Sequence, residues 1–189
     1  RTPGLALRGL AVHVGSQITD IEPFAAGIER LLGIVKRLRQ DGVTSLTTLD
    51  VGGGLGIRYR EGDQPLEMTA YAETVVGLVA DSGLDLVVEP GRYLVGNAGV
   101  LLTRVLYLKR SGGRMIAVID AGMTDLIRPS HYQAYHEIAV DGGEGRARVH
   151  YDVVGPICET GDFFALDRDL PALEQGDLLV VRGAGAYGF

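Results

Sequence analysis

Four short stretches set charged and nucleophilic side chains beside glycine or proline. "HVGSQ" holds His13 and Ser16 around Gly15, and "GGGLG" begins with Gly52, Gly53 and Gly54. "EPGR" separates Glu89 from Arg92 by Pro90 and Gly91, and "GPICETGD" carries the single cysteine, Cys158, next to Glu159. A glycine run lets backbone N–H groups approach an anion, because no Cβ intervenes. Phosphate is the usual guest of such a run, and a tight turn after a strand is the ordinary alternative. "GGGLG" lacks the later glycine of a dinucleotide loop, and no acid ends a following strand at the expected spacing, so a nicotinamide cofactor is set aside. Ser16 offers a hydroxyl to the same anion, while a lone His13 at a strand end also suits a purely structural role.

Glu89 follows the apolar run "LDLVV", where a carboxylate would be partly desolvated and in need of a partner. Arg92 is one candidate partner, in a salt-bridged turn. A ligand that needs both charges is the other reading. Between Asp120 and Ile138, Arg128, Pro129, Tyr132, Tyr135 and His136 read as a binding loop rather than core, and arginine suits two-pronged recognition of a carboxylate. Cys158 lies between Pro156 and the acids Glu159 and Asp162, a setting expected outside the core. The metal-ligand types present have no paired spacing, so no zinc site is expected. The G-x-S-x-G elbow of serine hydrolases is absent.

The elements that must position these groups alternate in the first half. Gly9–Gln17, Ser45–Gly54 and the run ending in "EPGR" read as strands, each finishing in a polar or glycine cluster. Between them, Pro23–Gln40 has helical period through Phe24, Ile28, Leu31, Leu32, Val35 and Leu38, with Asp20 before it and Pro23 suited to a first turn. Thr69–Ser82 repeats the pattern with Tyr71, Val75, Leu78 and Val79. The order βαβαβ with short connections predicts parallel strands with helices outside. Ligands of parallel α/β folds bind at the carboxyl ends of the strands, where all three clusters fall. From Gly99 onward, five strand-like runs ("GVLLTRVLYLKR", "RMIAVIDAG", "YHEIAV", "ARVHYDVVG" and "DLLVVRG") are separated by glycine-rich turns, which predicts a largely antiparallel β domain. Residues 1–98 and 99–189 are therefore expected to form separate domains.

The bulk properties narrow the class. The chain has 189 residues, 46% hydrophobic and 22% charged, with a net charge of −6 and no basic run, which argues against a nucleic-acid surface. No window approaches the ~18 apolar residues of a membrane helix. The start "RTPGLALRGL" lacks the order of a signal peptide. One cysteine permits no internal disulfide framework, and a cytoplasmic setting is expected. A start at Arg1 and an end in "GAGAYGF" suggest a fragment of a longer chain.

Taken in order, "HVGSQ", "DVGGGLG", "EPGR", "DAGMTDLIRPSHYQAYHEI", "VGPICETGD" and "AYG" run across nearly the whole chain. Each is weak or moderate alone, but the ordered set resembles the diaminopimelate decarboxylases, pyridoxal-phosphate enzymes of the alanine-racemase-like fold. The resemblance implies the C-terminal part of a TIM-type (β/α)8 barrel followed by a β-rich domain that is incomplete here. It implies that Ser16 and Gly52–Gly54 hold the cofactor phosphate and that His13 stacks on the pyridine ring. It also implies that Glu89 bonds the pyridine nitrogen and keeps it protonated, with Pro90, Gly91 and Arg92 completing that strand end. Arg92, Arg128 and Tyr132 then read the substrate's distal carboxylate, and Glu159 its distal ammonium. Cys158 reprotonates the carbanion from across a homodimer interface, and Tyr187 closes the cofactor site.

Two departures stand out. The family's Cys-Glu-Ser is Cys158-Glu159-Thr160 here, which keeps the hydroxyl. The family's Schiff-base lysine has no counterpart, because the only lysines are Lys36 and Lys109 and neither matches its motif. The polypeptide alone is therefore expected to be inactive, and a bare half-barrel is expected to expose unpaired edges and apolar faces. Within enzymes, the alternative substrates are ornithine, arginine or a related amino acid. A non-catalytic regulatory homologue is the alternative outside that class.

Overall fold

In the computed structural model, which describes residues 2–189, the chain divides into two compact units. The first unit runs to Ile57 and resumes over Gln64–Tyr93; the second comprises Arg58–Asp63 and Leu94–Phe189.

The first unit is a three-stranded parallel sheet in the order β1 (Gly9–Ala11), β2 (Thr48–Asp50), β3 (Asp85–Val87). Helix α1 (Glu22–Gln40) follows β1, and α2 (Met68–Val79) follows β2 and tightens into a 3-10 turn at Ala80–Ser82. The expected apolar period decides what α1 buries: Phe24, Ile28, Leu31 and Val35 face the sheet, with Leu32 and Leu38 partly covered. Pro23 sits in the first turn beside Glu22, and Arg37 and Arg39 lie in the last turn, each charge suited to the helix dipole there. Asp20 is not the cap; Ile21 takes that position with no side-chain bond. Helix α2 buries Tyr71, Val75 and Val79 in the same core, where the Phe24 and Tyr71 rings meet edge to face at 5.1 Å.

The run ending in "EPGR" departs from the sequence expectation twice. Leu86, Val87 and Val88 were expected in a core strand but are 37%, 39% and 44% exposed. In this sheet β3 pairs only with β2, so the apolar run lies along an open edge. Beyond Pro90 the chain does not simply turn, because Gly91–Val95 forms one turn of helix, α3.

The second unit is a six-stranded sheet in the order β6-β9-β4-β5-β7-β8. Its strands are β4 (Leu101–Ser111), β5 (Arg114–Ile119), β6 (Ile138–Val140), β7 (Arg148–Val154), β8 (Phe163–Pro171) and β9 (Leu178–Val181). All pairs are antiparallel except β5 with β7. The core gathers Val105, Ile119, Leu126, Tyr151, Val153, Phe164, Leu170 and Leu179 from five strands and one connection. Strand β8 was not foreseen. Its alternation is broken where its register against β7 shifts and where Asp167 takes a left-handed backbone (φ 48°). Within the expected binding loop, Arg128–Tyr132 forms a short helix, α4.

Candidate active site

Three strand ends converge in the first unit. After β1, His13 and Ser16 are exposed; after β2 come Gly52–Gly54; after β3 come Glu89 and Arg92. The glycines serve the packing of these ends. A Cβ on Gly52 would lie 2.3 Å from the Val12 carbonyl oxygen, one on Gly53 2.0 Å from that of Glu89, and one on Gly54 2.2 Å from that of Gly15. The Gly52 N–H donates to Asp50 Oδ1 at 2.8 Å, and the Gly53 N–H approaches His13 Nδ1 at 3.4 Å. The run thus seats the His13 and Glu89 backbones against the end of β2.

Of the two readings of Glu89 and Arg92, the salt-bridged turn is not formed among the described residues. The Arg92 guanidinium donates to Ser16 Oγ at 2.6 Å, joining the ends of β1 and β3. Glu89 is tied through its backbone, its N–H donating to Gly52 O and its carbonyl accepting from Gly91 N, both at 2.8 Å. Among the described residues its carboxylate meets no cation within ion-pair distance. The side chain is exposed on the open strand, so the desolvation inferred from "LVV" is absent in this chain.

In the second unit the remaining candidates fall into two groups. Cys158 and Glu159 are exposed on the loop Gly155–Asp162, with Glu159 Oε1 accepting the Gly161 N–H at 3.2 Å. That loop is organised by Asp162, which is 4% exposed and not the surface acid the sequence suggested. Its carboxylate accepts the N–H of Met123 at 2.6 Å and of Ile157 at 2.7 Å. A Cβ on Gly155 would strike it at 2.3 Å, so the glycine is what admits the buried acid.

The other group surrounds α4. Arg128 is 8% exposed and His136 1%, so half of the expected binding loop is core, whereas Tyr132 is exposed and its ring leans on His131. Arg128 Nη1 lies 2.8 Å from His136 Nε2, and its guanidinium carbon lies 4.3 Å from the centre of the Tyr59 ring. Tyr59 belongs to the segment 58–63, between β2 and α2 in sequence yet part of the second unit. Asp63 shapes that segment by accepting the N–H of Tyr59 at 3.0 Å and of Arg60 at 2.8 Å. Those bonds hold its carboxyl below the usual carboxylate range. Tyr135 lies between the guanidinium groups of Arg60 and Arg168, at 4.5 and 4.1 Å. Tyr187 is exposed, with a left-handed backbone (φ 59°). Nothing in the sequence marked Tyr59, and Asp162 was read only as one of the acids beside Cys158, not as a buried group. The glycine facing Asp162 was the available signal for the latter, and for Tyr59 there was none.

Residues 34–185 match the family model described as the pyridoxal-dependent decarboxylase C-terminal sheet domain. The chain belongs to the pyridoxal-dependent decarboxylases. It is similar to the diaminopimelate decarboxylase of Pseudomonas aeruginosa, 52% identical over 98% of this chain and 44% of that protein. It also resembles the crystal structure of diaminopimelate decarboxylase from Helicobacter pylori complexed with L-lysine, at 37% identity and TM-score 0.89 over 98% of this chain and 46% of that one. The lysine/ornithine decarboxylase of Vibrio vulnificus shares the fold, at TM-score 0.86 and 24% identity over 96% of this chain and 49% of that one. The chain thus spans less than half the length of the relatives it matches.

The donor set of the first unit fits the cofactor of these decarboxylases. A hydroxyl and a guanidinium beside the glycine run suit its phosphate, and a carboxylate that meets no cation among the described residues suits its ring nitrogen. The two lysines do not complete the set in this chain. Lys36 is exposed on α1 and Lys109 is exposed on β4.

Proposed function

We propose that this chain supplies the later barrel units and the sheet domain of a pyridoxal-phosphate enzyme that decarboxylates meso-2,6-diaminopimelate to L-lysine. The observation that carries the reading is the strand-end cluster of the first unit, where Ser16 and Arg92 bond at 2.6 Å while the exposed Glu89 carboxylate meets no cation among the described residues. The diaminopimelate decarboxylases among its relatives support the substrate. When bound, pyridoxal phosphate supplies an electron sink for the pair left behind as CO2 departs.

The chain's own residues do the rest. Ser16 and Gly52–Gly54 bind the phosphate; the bond from Arg92 to Ser16 supports a role for Arg92 beside them, in addition to its reading of the distal carboxylate. His13 covers the ring face, and Glu89, on the segment continued by Pro90 and Gly91, holds a proton at the ring nitrogen. Arg128 and Tyr132 hold the substrate's distal carboxylate, Glu159 its distal ammonium, and Tyr187 closes over the cofactor. Cys158 delivers a proton to the carbon that has lost CO2, acting in the site of the partner subunit of a homodimer. The setting is cytoplasmic. No helix among the described residues is long and apolar enough to cross a membrane.

The test uses the full-length parent protein with pyridoxal phosphate and measures CO2 release from meso-diaminopimelate, ornithine and arginine, with residues 1–189 assayed alongside. Release from diaminopimelate by the parent, and none by residues 1–189 alone, is the expected result. Release from ornithine or arginine instead overturns the substrate. No release and no bound cofactor absorbance would favour a regulatory homologue.

A further inference from the structure

His136 has no place among the groups assigned above, yet it is the most deeply buried charge-capable side chain in the second unit, at 1% exposure. Both of its ring nitrogens are engaged. Nδ1 lies 2.8 Å from the Arg182 carbonyl oxygen, which can only accept, so Nδ1 carries the proton. Nε2 lies 2.8 Å from Arg128 Nη1, and a guanidinium can only donate, so Nε2 presents its lone pair. The two contacts together require a neutral ring in a single tautomer.

The same arrangement fixes Arg128. One guanidinium N–H goes to His136, and one face lies over Tyr59. Tyr59 meets the His136 ring nearly edge-on, with centroids 5.2 Å apart and planes at 72°. A Cβ on Gly183 would come within 3.2 Å of the Tyr59 ring, and its left-handed backbone (φ 67°) favours glycine, so a glycine there lets the chain after β9 close on the ring. The His136 backbone is held in turn, its carbonyl accepting from Arg168 Nη1 at 2.7 Å. A guanidinium free at the end of a four-bond side chain would sample many directions. This one has its plane set by a ring beneath it and its rotation set by an acceptor beside it.

We propose that His136, with Tyr59, is a positioning residue for carboxylate recognition: it aims Arg128 and thereby makes the site prefer an amino acid carrying a distal carboxylate. The inference rests on Arg128 being the carboxylate reader. Its chemistry separates two probes. L-lysine, the proposed product, keeps the distal carboxylate and ammonium, whereas cadaverine keeps only the ammonium. A well-aimed guanidinium discriminates between them, and a loosely held one does not.

The test measures competitive inhibition by L-lysine and by cadaverine in the full-length parent loaded with pyridoxal phosphate. His136→Leu removes the acceptor at similar bulk. It is expected to weaken L-lysine inhibition and raise the KM for diaminopimelate by about tenfold, the scale of a lost hydrogen bond to a charged group, with cadaverine inhibition and kcat nearly unchanged. His136→Gln, whose amide oxygen can take the Nε2 position, restores most of the L-lysine affinity. Tyr59→Leu is the independent variant should His136→Leu fail to fold; it leaves His136 in place and should show the same selective loss, which Tyr59→Phe does not. Equal weakening of both inhibitors, or of neither, in the His136 and Tyr59 variants overturns the proposal. Arg128→Leu separates the two readings. If it selectively weakens L-lysine while the His136 and Tyr59 variants do not, Arg128 is the reader and His136 does not aim it. If Arg128→Leu shows no selectivity, the carboxylate reading falls and the inference falls with it.

Discussion

At the scale of single residues, the chemistry depends on partners that carry no chemistry of their own. Cys158 and Glu159 are exposed on a loop whose shape is set by the buried Asp162 carboxylate and its two backbone N–H donors. Replacing Asp162 with Asn turns an amide NH2 toward one of those donors and loses a bond worth about 1–3 kcal/mol at a buried site. The loop should shift by a fraction of an ångström, which is costly if Cys158 is the proton donor proposed above. In the full-length parent, Asp162→Asn is expected to lower kcat by tenfold or more while leaving cofactor binding unchanged, as read by steady-state kinetics and a pyridoxal-phosphate absorbance titration. Unchanged kcat would show that the loop keeps its shape without the charge. Glu89 teaches the complementary lesson. Its neighbour in sequence, Arg92, is its obvious partner, yet Arg92 bonds Ser16 across the sheet.

At the scale of elements, the helices were legible because their information is periodic. The face of α1 that the sequence assigns to the core is the face buried, and α2 follows the same rule. The strands were legible in position and in their parallel order, but β8 was not, because a register shift and a left-handed Asp167 interrupt its alternation. One element carries a defect that periodicity hides. The Tyr71 hydroxyl on α2 is buried with no hydrogen-bond partner among the described residues, and burial pushes its pKa up. Its ring is well packed against Phe24, so Tyr71→Phe keeps the contact and removes the unsatisfied group. That substitution should stabilise the full-length protein by up to about 1–2 kcal/mol, seen as a higher denaturant midpoint at constant slope. A lower midpoint would mean that the hydroxyl has a partner in the longer chain.

At the scale of the whole molecule, the open edge and exposed apolar residues of β3 mark a face that needs cover, as expected for part of a barrel. The proposed homodimer with shared sites has a direct test in the full-length parent. Cys158→Ala and Glu89→Gln variants are each expected to be nearly inactive. Unfolded together and refolded at equal amounts, they should recover about a quarter of wild-type activity, because half of the dimers are mixed and each mixed dimer has one intact site of two. If Cys158 serves its own subunit, every site in the mixture has a defect and no activity returns.

Read without coordinates, the sequence determined the βαβαβ order, the buried helix faces, the β-rich second half and the three strand-end clusters. These follow from local periodicity and from the backbone freedom of glycine, both of which are written into neighbouring residues. Tertiary structure alone decided that Arg92 meets Ser16, that Asp162 and His136 are buried, and that Tyr59 crosses from the segment between β2 and α2 to lie beneath Arg128. Those contacts join residues 69 or more positions apart, or depend on which side of a loop faces inward. No short-range pattern encodes such choices; they are settled by which side chains fill the space that remains once the elements have packed.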